Sequence, residues 1–230
     1  MVAIENKNLW LLFRFDGADV YVTETMLATW IIMAVLILVA VVVRIKAKHF
    51  KDVPSGFQNI IEIAVESMDN LVKDTVGEKL DFLSGYFFCV FAFILVSNFS
   101  GLVGLRPPTS DLATTLPLAL STFVLIHVLG VCLQKGGYFK SYLSPHPVFL
   151  PMNIIGEISK PISLSFRLFG NILAGVIVME FVYSMLPWFL RFVLPDVTHI
   201  YFDLFAGTLQ AFVFTVLSMT FINIKAADAI

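Results

Sequence analysis

The stretch TMLATWIIMAVLILVAVVV, Thr25 to Val43, holds 19 residues without a charge, between Glu24 and Arg44. A bilayer core of ~30 Å needs about 20 apolar residues as α-helix. Three further windows have the same character. Asp81 and Arg106 bracket 24 uncharged residues, Asp111 and Lys135 bracket 23, and Asp203 and Lys225 bracket 21. A fifth window, Lys160 to Arg191, is apolar but interrupted by Arg167 and Glu180. These windows predict an all-α polytopic membrane protein with five transmembrane helices, at 24–43, 82–105, 111–134, 153–186 and 197–225. Pro187, Trp188 and Pro195 mark the turn between the last two, which form a long tilted hairpin.

Composition agrees. Of 230 residues, 58% are hydrophobic and 14% charged, against about 45–50% and about 25% in soluble domains. Mean hydropathy is +0.88. A net charge of −2 gives no basic footprint for nucleic acid. Cys89 and Cys132 both lie in apolar runs, so neither a disulfide framework nor a cysteine metal site is expected. Residues 1–23 carry Glu5, Lys7, Arg14, Asp16 and Asp19 around the short apolar Leu9–Phe13. That is too little for a cleavable signal peptide, and the segment reads as an external N-terminal arm.

Segment 54–80 has another pattern. Phe57, Ile60, Ile61, Ala64, Val65, Met68, Leu71 and Val72 form a helical stripe, with Glu62, Glu66, Asp69 and Lys73 opposite. It predicts an amphipathic helix on the membrane surface or against a partner. Orientation follows from lysine and arginine. Arg44, Lys46, Lys48, Lys51, Lys73, Lys79, Lys135, Lys140, Lys160 and Lys225 fall on one side, against Lys7, Arg14, Arg106 and Arg191 on the other. The richer side is predicted to be cytoplasmic, leaving the N-terminus outside and the C-terminus inside.

Arg167 does not belong in lipid. An arginine at the helix centre costs about 2.5–3.5 kcal/mol on insertion scales, and such residues face cavities or partners. Ser163 and Asn171 lie one turn before and after it, on the same face. Glu180 lies 13 positions on, roughly 220° around a straight helix. Asp203 and Gln210 are seven apart and share a face of a straight α-helix. A hairpin centred on Pro187–Pro195 sets Asp203 level with Met179, beside Glu180, and Gln210 level with Ile172. Centred just after Trp188, it sets Gln210 level with Arg167 instead. Chains of ionisable groups in a membrane mark ion or proton pathways. His127 is a lone intramembrane histidine, with no second histidine at depth to complete a haem site. No HExxH or GxSxG signature occurs, and no cofactor or metal is expected.

The run SKPISLSFRLFGNILAG, Ser159 to Gly175, resembles the signature of subunit a of the bacterial rotary F-type ATP synthases. GTLQAFVFTVLSMTFI, Gly207 to Ile222, resembles that family's last helix, and PPTSDLATTLPLAL, Pro107 to Leu120, its external loop and following helix. The resemblance places the family's essential arginine on Arg167, its polar neighbours on Ser163 and Asn171, and its glutamine on Gln210. In some members a Glu follows the Ala-Gly of the motif. Here Val176 follows Ala174-Gly175, and an acid comes one turn later as Glu180. Asp203 stands where those members have His. The resemblance implies a non-catalytic stator subunit facing a c-subunit ring, beside peripheral-stalk b subunits, in a bacterial plasma membrane. Two half-channels would be offset across Arg167, with Glu180 and Asp203 on one and Asp111, His127 and Glu157 as further candidates. A stand-alone secondary cation transporter is the alternative, but neither a repeat nor an interrupted helix pair supports it.

Overall fold

The computed structural model describes residues 8–15, 18–51, 53–134, 137–138, 142–143, 146–185, 198 and 200–227. Five helices among them are long and apolar enough to cross a membrane, as the uncharged windows predict. The expected turn around Pro187, Trp188 and Pro195 lies outside the described residues.

The N-terminal arm forms a two-stranded sheet. Strands β1 (Asn8–Phe15) and β2 (Ala18–Thr23) pair antiparallel. The sequence carries the signal, since Asp16-Gly17 between two apolar runs favours a tight hairpin. The strand ends at Thr23, whose hydroxyl accepts from the Met26 N–H at 3.3 Å and caps α1 (Glu24–Ala47). Glu24 in the first turn and Arg44 and Lys46 in the last complement the helix dipole. Most of α1 beyond Ile32 is exposed, with Ile37 and Leu38 each at least 60% so. This is the surface expected of a helix solvated by lipid.

Helix α2 (Phe57–Val76) is shorter than the amphipathic pattern suggests. Gly56 (φ +55°) and Gly77 (φ +93°) bound it in conformations that favour glycine. Its apolar stripe is half used: Met68, Val72 and Val76 are buried, whereas Phe57, Ile60 and Val65 are exposed. A 3₁₀ turn (Glu78–Leu83) leads into α3 (Ser84–Phe99), a second 3₁₀ turn (Ser100–Val103) closes that span, and α4 covers Leu112–Gln134.

Helix α5 (Leu150–Met185) has 36 residues, about 54 Å at 1.5 Å per residue. That is far longer than a ~30 Å core requires, so a helix of this length crosses steeply tilted or extends beyond it. The last span starts as a π-helix (Ile200–Ala206) and continues as α6 (Gly207–Ala227).

Backbone packing divides the chain into two compact units, and several helices run through both. The first comprises Met1–Lys48, Ala92–Thr114 and Leu168–Ala211. Its interior is rich in polar side chains: Thr25, Ser97, Asn98 and Thr109 are all at most 2% exposed. The second comprises His49–Phe91, Thr115–Arg167 and Phe212–Ile230. Its core is apolar, built from Met68, Val72 and Val76 of α2, Leu80, Leu83 and Phe87, Ile126 of α4, and Met219 and Ile222 of α6.

Candidate functional site

Arg167 is exposed on α5, and among the described residues no hydrogen bond or ion pair holds it. A bare guanidinium is costly in hydrocarbon. The surface around it is low. Gly156 and Ser163, in the same unit as Arg167, lie within roughly 60° of it around the helix, and both are exposed. Neither Gly156 nor Gly170 has an atom within 4 Å of where a Cβ would stand. Small residues at a membrane helix surface let a second helix approach closely.

Ser163 belongs with Arg167 to the second unit. Asn171, one turn beyond, belongs to the first, where its amide approaches the Ala206 carbonyl at 3.5 Å. Glu180 and Asp203 are half-buried in the same unit. The Asp203 carboxylate lies against Gly101, where a Cβ would come within 2.9 Å of its Oδ2. A side chain at 101 would displace the acid. Gln210 is 8% exposed, and its Nε2 has no hydrogen-bond partner among the described residues.

The straight-helix reading of Asp203 and Gln210 does not hold. A π-helix bonds i to i+5 and turns less per residue, roughly 80° against about 100° in an α-helix. Across Asp203 to Ala206 this rotates the acid by about 60° from the shared face. Sequence spacing alone does not reveal it, because residue spacing assumes one helical period throughout.

Asp111 caps α4, its Oδ1 accepting from the Ala113 N–H at 3.0 Å and its Oδ2 from the Thr25 hydroxyl at 3.0 Å. His127 is half-buried, with Nδ1 2.8 Å from the Phe123 carbonyl of its own helix. Glu157 pairs with Lys160 and Lys225, each at 2.8 Å. Lys225 also lies 4.6 Å from the Tyr142 ring centre and 5.5 Å from that of Tyr138, and its carbonyl accepts from Gln134 at 2.6 Å. The Tyr138 and Tyr142 hydroxyls bond at 2.7 Å. Burial pushes the Tyr138 phenol up, and its bond with Tyr142 adds to the shift. His127, Tyr138, Tyr142 and Glu157 border a cavity of about 510 Å³. Among the described residues, no cluster of three histidines, cysteines or carboxylates could hold a metal.

Sequence reasoning missed Asn98, Thr109 and the pairing of Lys225. The signal for Asn98 was present as Ser97-Asn98, a polar pair in an otherwise apolar run. The Lys225 cluster had none beyond charge, since its partners lie on distant segments.

Residues 26–223 match the family described as ATP synthase A chain. ATP synthase subunit a of Moorella thermoacetica is 34% identical over 213 residues, covering 92% of this chain and 93% of that protein. The sodium ion specific ATP synthase subunit a of Propionigenium modestum is 34% identical over 225 residues, covering 90% of this chain and 75% of that protein.

Proposed function

The chain belongs to the ATP synthase A chain family, and from that premise we propose that Arg167 is the charge against which a partner ring of carboxyl-bearing helices turns. As a member, the chain is an ion-translocating stator subunit of an ATP synthase and a multi-pass membrane protein. The observation that carries the site reading is the exposed Arg167, unpaired among the described residues and set in a strip of small residues.

The mechanism follows from charge in a low dielectric. A ring carboxyl in lipid is held neutral, because desolvation disfavours its charged form. Beside Arg167 the fixed cation favours carboxylate, and the bound ion leaves. The carboxylate then takes an ion from the opposite side before it returns to lipid. Two offset half-channels supply those sides, and Arg167 repels cations that would pass straight between them. Glu180 and Asp203 line the outer path, with Asp111 near its mouth. Glu157 and His127 border the inner one. The driving force is about 2.3 kcal/mol per charge per 100 mV. This chain performs no bond chemistry, and the ring carboxyl's own ligands, in another subunit, select the ion.

The partners are the c ring on the Arg167 face and the b subunits of the peripheral stalk. The membrane is a bacterial plasma membrane, with the N-terminus and Arg106–Asp111 outside and the loop after Val43 and the C-terminus inside. The lysine asymmetry supports this orientation. In intact cells, a cysteine at position 46 should resist an impermeant thiol reagent, and rapid labelling there would reverse the topology.

Cross-linking tests the ring contact. Cysteines replacing Ser163 or Gly170 should form disulfides with cysteines on the outer helix of the c subunit in the purified complex. A chain that purifies alone and transports cations by itself would favour the stand-alone transporter instead.

A further inference from the structure

The last span changes from π to α between Ala206 and Gly207, and both junction carbonyls receive a side-chain amide. Asn98 Nδ2, from α3, donates to the Gly207 carbonyl at 2.9 Å. Asn171 Nδ2, from α5, reaches the Ala206 carbonyl at the longer distance of 3.5 Å. Asn98 is fully buried, and its Oδ1 accepts from the equally buried Thr109 hydroxyl at 2.7 Å. Gly207 is required by this contact, since a Cβ there would lie 2.9 Å from the Asn98 Cβ.

These bonds have a physical role. A backbone carbonyl has two lone pairs, so each junction carbonyl can accept a side-chain amide beside its helical bond. The two amides tie the junction to α3 and α5 and so favour the π turn over a straight helix. Thr109 fixes the carboxamide, because with Oδ1 accepting, Nδ2 can only face Gly207. The π turn in turn sets the azimuth of Asp203, which lies against Gly101.

We propose that Asn98, held by Thr109, is a positioning residue of the outer ion path, clamping the π-to-α junction so that Asp203 faces Gly101 and not the face of Gln210. Without the clamp the segment relaxes toward α-helix, and the acid swings by about 60°. The inference rests on the outer-path reading of Asp203, and its test separates the two.

The test uses the whole complex in vesicles. One readout is the external ion concentration giving half-maximal ATP synthesis. The other is the thiol-labelling rate of Asp203→Cys in a Cys89→Ser, Cys132→Ser background. Asn98→Leu should raise the half-saturating concentration at least about fivefold and change the labelling rate by a similar factor, since small misplacements near an ion path are costly. ATP hydrolysis by the head should stay unchanged. Thr109→Val, which keeps the volume and loses the hydroxyl, should shift both readouts in the same direction. Thr109→Ser should restore them.

If Asn98→Leu fails to assemble, the Thr109 pair decides. Labelling and half-saturation both within about twofold of wild type in Thr109→Val, or in an assembled Asn98→Leu, would overturn the clamp. Asp203→Asn, run in parallel, judges the other reading. If it leaves the half-saturating concentration unchanged, the outer-path role of Asp203 falls, and the labelling rate alone judges the clamp.

Discussion

Arg167 and Lys225 are both cations in membrane spans, and the chain treats them in opposite ways. Lys225 is 9% exposed, paired with Glu157 and set against two tyrosine rings. Arg167 is exposed, and no described residue pairs with it. The first arrangement offsets the cost of a charge in the membrane within the chain. On the proposed reading, the second leaves that cost to the partner ring. A paired membrane cation thus reads as structure, and an unpaired one as function. A guanidinium suits the second role because it stays ionised almost anywhere, whereas a lysine can lose its proton when desolvated.

The largest expected effect lies at the unpaired end of this comparison. Arg167→Lys should abolish ATP synthesis, measured in vesicles energised by an imposed ion gradient, because charge without the planar fork does not hold a passing carboxylate. Retained synthesis in Arg167→Lys would reduce the site to a simple point charge.

The acids come next. Glu180→Gln or Asp203→Asn alone should lower ATP-driven pumping several-fold at most, and the pair together by about a hundredfold, as expected for groups that act as a unit. Pumping at the wild-type rate by the double variant would exclude them from the path.

The smallest functional effect is expected at Lys225. Lys225→Met leaves Glu157 with Lys160, so the loss should be about 1–3 kcal/mol, below the cost of fully stranding a buried charge. It should appear as faster thermal inactivation, with ATP synthesis near wild type at moderate temperature. An assembled Lys225→Met complex with no synthesis would move Lys225 from structure into the ion path.

The five spans were legible because an uncharged run near 20 residues has few other uses. As candidates, Arg167, Ser163 and Asn171 stand out in the sequence because a charge in such a run demands a reason and their spacing is helical. The hairpin of β1 and β2 was missed although Asp16-Gly17 advertised it. The exposed half of the α2 stripe shows a different limit: periodicity reveals an apolar face without saying what covers it. The azimuth of Asp203 was out of reach for a third reason. It depends on a π turn held by Asn98 and Asn171, which lie 109 and 35 residues from the carbonyls they bind. The Glu157–Lys225 pair is equally non-local, and composition registers it only as two charges.

The most direct measurement is passive ion flux through vesicles that carry the membrane sector with the catalytic head removed, comparing wild type with Arg167→Ala. If Arg167 is the barrier between two half-channels, ions should leak through the Arg167→Ala sector faster than through wild type. ATP synthesis should stay absent when the head is restored. An Arg167→Ala sector as tight as wild type, or one that still supports synthesis, would contradict the assignment of Arg167 as the gate.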